Sequence, residues 1–455
     1  MSITNRPQLL LLSLLFPLFL QAQNKTEGAD TTHRMSIREL QRFASEQNHR
    51  IRIARKEVKK ARKDVQATTA IGLPQISASG NYQNYIDRPV NLIPGEFFGR
   101  RPGTFAEVKF GTEHNARYRF QAEQLIFDGS YFVGLKASKA YRKMSKERSK
   151  KQKQEVKEMV GDAYINTLAA KEEMKSLSKT LANLRDLYKE TKAMYEEGLT
   201  DRGEKDQLER TVINMENSLR KAKKGVERAE RSLKILAGMP LKDSLVLTDS
   251  LKGMLERTDK AKLLGEAFQP KEHIDHRIAS TQVRLKQLNY QNEQADFLPK
   301  FNAFFNYQEK AQRDEFNFFE EQDGEWYPQT VAGVRVSIPI FNSGRKLFQA
   351  QKAKVDRLQA EVDRERVSQQ LKKEYRDTRS RFVERYRSLE NRKKALELSQ
   401  GILQRTIQEH QEGMSSSLEV TQTKNQYLKD RRAYIRSLSE LLQARNQLKE
   451  ILGRY

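Results

Sequence analysis

The sequence contains two copies of one unit, which predicts a fold with two equivalent halves. Leu73 and Pro74 begin the stretch Leu-Pro-Gln-Ile-Ser-Ala, Leu298 and Pro299 begin the stretch Leu-Pro-Lys-Phe-Asn-Ala, and Asn-Tyr-Gln follows each at the same spacing. Three later pairs of similar motifs keep the same order: Phe127-Asp128-Gly129 with Phe341-Asn342-Ser343-Gly344, Gly198-Leu199-Thr200 with Gly413-Met414-Ser415, and Leu233 to Gly238 with Leu448 to Gly453. Matching motifs in a fixed order indicate an architecture built from structural repeats.

Two long tracts without proline predict long helices. All 11 prolines lie outside the tracts 103–239 and 340–455, and proline is excluded from helix interiors because it lacks an N–H and its ring clashes with the preceding turn. We expect long helices over 130–197 and 345–412, each about 100 Å long, and return helices over 200–237 and 415–452. Apolar residues form a narrow seam on a charged surface, as in coiled coils; in the second copy the seam comprises Val355, Leu358, Val362, Leu371, Tyr375, Phe382, Tyr386, Leu389, Leu396, Leu403 and Ile407.

A β-hairpin is predicted in each copy, over 74–127 and 299–341. The first alternates Ala116, Tyr118, Phe120 and Ala122 with Arg117, Arg119, Gln121 and Glu123. Strict period two with charges on one face means that one face meets water and the other an apolar medium. The segments 88–103 and 310–328 are rich in Pro, Gly and charge and are expected to be long loops. Single shorter helices are expected over 36–69 and 271–297.

The amino terminus has the layout of a secretory signal peptide. One cation, Arg6, precedes a leucine-rich run that is too short to span a bilayer, and small and polar residues follow it. We expect residues 1–22 to be removed, the first repeat to occupy 23–238, a linker 239–270 and the second repeat 271–455. The chain has no cysteine, which excludes disulfides, thiolate metal sites and a lipid-modified N-terminal cysteine.

The strand count indicates that the chain must oligomerise if its strands lie in a membrane. Each candidate strand has about ten residues, the length that crosses an outer membrane when tilted. Four strands cannot close a barrel, because the smallest single-chain barrels use about eight, and an open edge in lipid leaves backbone groups unpaired. A soluble β-subdomain is the alternative.

This arrangement resembles the TolC family of outer-membrane efflux and secretion channels over essentially the whole mature chain. The resemblance is carried by Pro74 and Pro299, where strands begin, and by the strand-to-helix turns; the residues of those turns are Phe127, Gly129, Phe341 and Gly344. It implies a mainly α fold with a small β part, in which a homotrimer forms one 12-stranded barrel in the outer membrane and a tunnel of helices across the periplasm. It also implies a passive channel without cofactor or catalytic residues, a periplasmic adaptor protein and an inner-membrane pump of RND, ABC or MFS type. An equatorial belt would come from 239–268 and the mature N-terminus.

The resemblance also implies a gate at the helix-to-helix turns. Glu204 and Glu419 each lie six positions after the glycine of the turn, where acidic side chains narrow the pore in that family, and crowding of such carboxylates in a trimer should raise one or more of their pKa values. The adaptor-contact turns would comprise Gly198, Leu199, Thr200, Gly413, Met414 and Ser415. The alternative is that both glutamates are ordinary charges on a helix surface; nearby candidates for the gate are Asp201, Arg202, Lys205 and Asp206.

Other functions find less support in the sequence. His273 and His276 lie three positions apart, but a pair without further ligands is weak grounds for a metal site, and we predict none. The excess of 84 Lys and Arg over 60 Asp and Glu would suggest nucleic acid in a cytosolic protein; in an exported chain we expect it to face solvent, anionic lipid or an acidic partner. A periplasmic or surface coiled-coil protein without a channel remains the alternative function, although it would not need the hairpins. The sequence contains no Walker A loop and no G-x-G-x-x-G, H-E-x-x-H or G-x-S-x-G motif, so it gives no support to an enzyme function.

Overall fold

The computed structural model of the chain describes residues 32–318, 325–412 and 414–454. The predicted signal peptide, residues 1–22, lies outside the described residues. In chain order the strands are β1 (Thr32–Met35), β2 (Gln75–Asn84), β3 (Val90–Pro94), β4 (Phe105–Lys109), β5 (His114–Phe127), β6 (Ser244–Leu247), β7 (Lys300–Arg313) and β8 (Tyr327–Ser337). The α-helices are α1 (Ile37–Gln47), α2 (His49–Ala70), α3 (Gly129–Glu196), α4 (Arg202–Ala237), α5 (Leu251–Glu256), α6 (Lys260–Gly265), α7 (Ile274–Ala295), α8 (Arg345–Gln411) and α9 (Ser417–Ile451).

The expectation of a mainly helical chain with a small β part is confirmed. Helices α3 and α8 have 68 and 67 residues, so each is about 100 Å long at 1.5 Å per residue. Their return helices, α4 and α9, have 36 and 35 residues. The two halves of the chain therefore contain the same sequence of helix, hairpin, long helix and return helix.

The helices stand side by side in one row of four columns. Near the sheet, α3 lies between α2 and α7; farther away it lies between α4 and α9, and α8 packs against both α7 and α9. Ion pairs mark these neighbours, among them Glu147–Arg277 between α3 and α7, Lys171–Glu230 between α3 and α4, and Arg385–Glu440 between α8 and α9. The row thus ends with α2 and α4 on one side and with α8 on the other.

The predicted apolar seam of α8 has two different environments. Leu371, Phe382, Leu389 and Leu403 are buried against neighbouring helices. Val355, Leu358 and Val362, toward the sheet, are exposed even though they follow the same spacing. The exposed part of the seam lies on the helix that ends the row.

Two predictions about the first half were wrong. The single helix expected over 36–69 is two helices, because the side chain of Asn48 accepts hydrogen bonds from the N–H groups of Arg50 and Ile51 and so starts a new helix. The segment 88–103 is not simply a loop: β3 pairs antiparallel with β4 and a short 3-10 helix, Gly95–Phe98, follows β3.

The main sheet joins both hairpins side by side. Its order is β2-β5-β7-β8, and all three pairings are antiparallel. β5 and β7 have 14 residues each, more than the ten expected. β2 and β8 are the edges of the sheet, and each lacks a second neighbouring strand within the described chain.

One face of this sheet is apolar across all four strands, as the alternation predicts. The register places Ala78 beside Phe120, Phe120 beside Tyr307, and Phe305 beside Ala332. Directly paired residues lie on the same face. The apolar and aromatic members of this face are Ile76, Ala78, Tyr82, Ala116, Tyr118, Phe120, Ala122, Phe301, Ala303, Phe305, Tyr307, Ala332, Val334 and Val336. The register also places Gln124, Glu309 and Thr330 on it, and the hydroxyl of Tyr307 donates to Glu309. Many of its large side chains are exposed, Ile76 by 78%. A soluble subdomain would cover such a face.

The linker and the first described strand form a small layer beside the middle of the helical row. β1 and β6 pair in parallel, and α5 and the buried Leu263 of α6 belong to a core that also includes Leu40 of α1, Tyr164 of α3 and Leu441 of α9. The ring of Tyr375 on α8 stacks on Phe268 with centroids 4.8 Å apart. No helix within the described ranges is long and apolar enough to cross a bilayer.

Candidate functional site at the helix-to-helix turns

The turn between α3 and α4 is a helix C-cap completed by a glycine. Gly198 has φ +76°, a left-handed conformation that favours glycine. The N–H of Gly198 donates to the carbonyl of Tyr195 at 3.0 Å, and the N–H of Leu199 donates to Met194 at 2.7 Å. This is the Schellman pattern, which satisfies the last carbonyls of a helix. The matching bond in the other copy runs from the N–H of Met414 to the carbonyl of Glu409, at 2.8 Å; Gly413 itself lies outside the described residues.

Both turns present apolar side chains to solvent. Leu199 is 67% exposed and Met414 is 69% exposed. Thr200 and Ser415 follow them and are half-buried. The predicted adaptor-contact residues in the described chain therefore lie at one end of the helical row, opposite to the sheet.

Glu204 and Glu419 occupy the same position, the third residue of a return helix. Asp201 caps α4 by accepting from the N–H of Glu204 at 3.0 Å, and the hydroxyl of Thr200 donates to Glu204 Oε2 at 2.7 Å. In the second copy, Ser416 caps α9 and the N–H of Ser416 donates to Glu419 Oε2 at 3.0 Å, which completes a capping box. Each glutamate thus has a local structural partner.

In the single chain the pKa of Glu419 shifts in the opposite direction from the rise expected for crowded carboxylates. The hydroxyl of Ser415 donates to Glu419 Oε2 at 2.6 Å. This hydrogen bond, together with that from the N–H of Ser416, lowers the pKa of Glu419 below its ordinary value. A carboxylate held this way is ionised at neutral pH. The predicted rise concerns a ring of several chains, and only such a ring could produce it.

The neighbouring charged candidates are already engaged with one another. Asp201 is the N-cap of α4. Lys205 Nζ lies 3.1 Å from Asp206 and 5.2 Å from the centre of the Tyr195 ring. Arg202 Nε lies 3.4 Å from the same aspartate. Glu204 differs from these residues, because its carboxylate accepts a hydrogen bond from the neutral hydroxyl of Thr200.

A buried polar stripe on α9 was missed by the sequence reasoning. Ser417, Thr421 and Lys424 face inward at the end of the helix nearest the turn; Lys424 is 5% exposed, and no hydrogen bond or ion pair joins it to another described residue. Burial lowers the pKa of Lys424 to about 8. The spacing of four and then three, next to the buried Val420, could have identified the stripe, but polar residues are normally assigned to the exposed face.

The strand-to-helix turns position the long helices under the sheet. Pro74 and Pro299 directly precede β2 and β7, and Phe127 ends β5. Asp128 caps α3 by accepting from the N–H of Ser130. Gly129 is buried where a Cβ would lie 2.9 Å from Leu298 Cδ1. In the second copy Phe341 is exposed, and Gly344, at φ +78°, is the N-cap residue of α8.

The histidine pair does not converge on one point. His273 is buried at the start of α7, where its Nδ1 accepts from the N–H of Asp275 at 3.3 Å. His276 instead lies 3.4 Å from the hydroxyl of Ser280. Burial lowers the pKa of both imidazoles. No group of three or more His, Cys, Asp or Glu residues in the described ranges could hold a metal ion.

Comparisons with known proteins support the fold of the chain. The family model described as outer membrane efflux protein matches residues 40–239 and 274–454, one segment in each half. The structure is similar to that of CusC, with 18% identity, 92% of each chain covered and a TM-score of 0.70. It is also similar to VceC from Vibrio cholerae, with 14% identity, 92% of this chain and 96% of that chain covered and a TM-score of 0.68. For CmeC from Campylobacter jejuni the values are 15%, 92%, 85% and 0.70. No curated protein matches the chain.

Proposed function

The chain belongs to the outer membrane efflux protein family, and from this premise we propose that three copies form a passive channel that exports substrates together with a periplasmic adaptor and an inner-membrane pump. The family consists of outer-membrane channels and not of enzymes. The observation that carries the proposal is the four-stranded sheet with an exposed, mainly apolar face and two edges that are unpaired within the described chain. Such a sheet is stable in lipid only when its edges are paired.

The order of the strands is compatible with closure by identical neighbours. β2 runs away from the helices and β8 runs toward them, so β8 of one copy and β2 of the next would pair antiparallel, as all strands within the sheet do. Three copies of four strands give twelve, above the minimum of about eight for known outer-membrane barrels. The apolar face would then point to lipid and the face with Arg117, Arg119 and Glu123 to the lumen.

The height of the apolar face fits a membrane. Phe127 and Phe301, with ring centroids 6.2 Å apart, lie at the end near the helices. Tyr82 and Phe316, 5.4 Å apart, lie at the other end, and the register pairs Tyr82 through Ala116 with Ala311. Ten residues from Phe301 to Ala311 rise about 34 Å, or about 26 Å at a tilt of about 40°. Outer-membrane barrels carry an apolar band of about 25 Å between aromatic girdles.

The helical row supplies a second contact between copies. α8 ends the row on one side, and its exposed Val355, Leu358 and Val362 lie where α2 of a neighbouring copy would stand if the sheets close in a ring. Ile53 on α2 is exposed as well. Burying both sets would complete the seam that the sequence spacing predicts. The helical part of the trimer would then be a tunnel of twelve columns.

The gate and the docking of the adaptor are proposed for the opposite end of the tunnel. Glu204 and Glu419 would contribute six carboxylates near one constriction, and rings of acidic side chains favour cations. Leu199 and Met414 would meet the adaptor, since exposed apolar side chains at a turn need a partner. The linker 239–268 and β1 would form the equatorial belt.

Ion conduction in planar bilayers tests the channel and its gate. We expect the wild-type protein to conduct with cation selectivity, and the double variant Glu204→Gln with Glu419→Gln to lose part of that selectivity and any block by divalent cations. Glutamine is chosen because its side-chain oxygen can still accept from the N–H of Ser416. Glu57→Gln, an exposed site on α2, is the control. Unchanged selectivity in the double variant would remove both glutamates from the gate, and a wild type that never conducts would refute the channel.

A further inference from the structure

A strongly cationic crevice lies between the equatorial layer and α9. It consists of two adjoining cavities of about 420 Å³ and 470 Å³. The residues that line both cavities are Arg257, Arg445, Lys449 and Arg454. The first cavity adds Arg38 and Lys157, and its lining contains one acid, Asp249. We call these two cavities the cationic crevice.

The acids near the crevice do not neutralise it. Asp249 forms an ion pair with Arg257, and Glu266 pairs with Arg454 at 3.1 Å. Asp259, which lines the second cavity, caps α6 by accepting from the N–H of Lys262 at 2.9 Å. These pairs leave Arg38, Lys157 and Lys449, for which no carboxylate lies within ion-pair distance in the described part of the chain. Three cations from α1, α3 and α9 therefore line the first cavity without an ion-pair partner among the described residues.

Arg445 is held in place at the base of the crevice. It is 7% exposed. Its guanidinium donates to the carbonyl of Met254 and to the hydroxyl of Thr258, both at 3.0 Å, and to the side-chain oxygen of Asn446 at 3.2 Å. These three acceptors fix the orientation of the guanidinium. The carboxylate of Asp162, which accepts from the side chain of Asn446 at 3.2 Å, also interacts electrostatically with Arg445. A preorganised guanidinium matches the geometry of phosphate and carboxylate oxygens.

The excess of positive charge in the crevice affects the pKa of Lys449. It lies one helical turn after Arg445 on α9 and is half-buried. Burial is the main cause that lowers the pKa of Lys449 to about 8, and repulsion from Arg445 and Arg38 acts in the same direction. A ligand with negative charge in the cavity would remove this repulsion and replace lost hydration.

We propose that the cationic crevice is a binding site for a small, free anion of the phosphate class, such as a diphosphate or a phosphate monoester. The ligand would bridge α1, α3, the end of α5 and α9, and so fix the equatorial layer to the helical row. Its site lies on a surface that neither the gate nor the lipid-facing sheet uses.

The dimensions of the crevice favour this ligand over larger anions. Cavities of roughly 300 to 1,000 Å³ are typical of small-molecule sites, and Arg445 is reached only by a compact ligand because it is almost completely buried. Lys157 follows Gly129 by 28 residues, so it lies about 42 Å along α3 from the sheet. At this distance the headgroups of the membrane cannot reach the crevice. This conclusion rests on the proposed position of the sheet in the outer membrane.

Titration of the full-length protein in neutral detergent with inorganic pyrophosphate tests the proposal. At constant ionic strength we expect saturable binding of one anion per chain by calorimetry. Lys449→Gln and Arg38→Gln should each weaken binding about tenfold, the size of one lost charge-assisted hydrogen bond. Neither side chain forms a hydrogen bond with another residue in the described ranges, so neither substitution removes one. Lys221→Gln on α4, which lines neither cavity, should bind like the wild type.

Each alternative occupant gives a different result. Absent binding, or equal binding by the wild type and both crevice variants, would overturn the proposal. Saturable binding of oligoglutamate that pyrophosphate does not displace would overturn it in favour of an acidic protein segment. Loss of pyrophosphate binding in phosphatidylglycerol vesicles, but not in phosphatidylcholine vesicles, would assign the site to lipid headgroups. Because ion conduction is measured separately, failure here leaves the proposed channel function unaffected.

Discussion

Replacement of Lys424 by methionine should stabilise the end of the helical row that carries the turns. Lys424 lies on α9 with Val420 on one side and Leu428 on the other, against a core formed by α3 and α4. Methionine has a similar length and no charge, so it can fill the same space. The variant removes the cost of holding an ammonium group in this interior and keeps the packing.

The magnitude follows from the pKa of Lys424, which burial lowers from 10.5 to about 8. Each pKa unit corresponds to about 1.4 kcal/mol, so the ammonium destabilises the folded state by about 3 kcal/mol at pH 7. A depressed lysine pKa means that the penalty is fully present below pH 8 and disappears as the pH rises toward 10.5. At pH 9 about 2 kcal/mol should remain.

Amide hydrogen exchange measures this local stability. For amides of Leu184, Leu208 and Val420, we expect exchange at pH 7 to be about a hundredfold slower in Lys424→Met than in the wild type, because about 3 kcal/mol corresponds to about two decades in the opening equilibrium. The difference should shrink at pH 9 after correction for intrinsic rates. Lys429→Met, an exposed site on the same helix, is the control. Equal protection in Lys424→Met and the wild type at pH 7 would refute the burial argument.

Three further substitutions test separate parts of the structure by thermal denaturation. Gly129→Ala should destabilise the fold by about 1–3 kcal/mol, because the new Cβ would lie 2.9 Å from Leu298 Cδ1. Gly134→Ala on the same helix is the control: its Cβ would have no atom within 4 Å, so it should be neutral or stabilising. Equal effects of the two substitutions would contradict the close contact at Gly129. Ser416→Ala should cost about 1 kcal/mol through loss of the α9 cap, and an unchanged melting temperature would show that the capping box contributes nothing. Burial acts to raise the pKa of Asp249, but hydrogen bonds from Arg257, Ile37 and Tyr164 outweigh it and lower that pKa. The stabilisation by Asp249 should therefore be complete above about pH 4 and decline below it. Asp249→Asn should cost more stability at about pH 7 than at about pH 3, and an equal loss at both pH values would contradict this.

The periodic parts of the sequence predicted the fold well. Residues Ala116 to Ala122 alternate in a way that only one face of a strand can satisfy, and the absence of proline from 103–239 allowed the uninterrupted α3. The break at Asn48 was not predicted because Asn is tolerated in helices, and its capping role depends on local geometry. The pairing of β3 with β4 was missed because Pro and Gly near these short strands indicate turns.

The candidate functional surfaces were predictable only where they follow sequence repeats. Glu204 and Glu419 were selected by their equal distance from the two turns, and their role in a gate stays a prediction. Lys424 was not found, because its burial depends on how α9 packs against α3 and α4. The cationic crevice was also invisible in the sequence, since Arg38, Arg257 and Lys449 are brought together from separate helices by tertiary packing.

The number of chains in the detergent-extracted particle tests the central claim most directly. Native mass spectrometry of membrane-extracted protein should give three chains per particle, because four strands with two unpaired edges require partners to close a barrel. A particle of one chain, or recovery of the protein as a monomer from the soluble periplasmic fraction, would contradict the account.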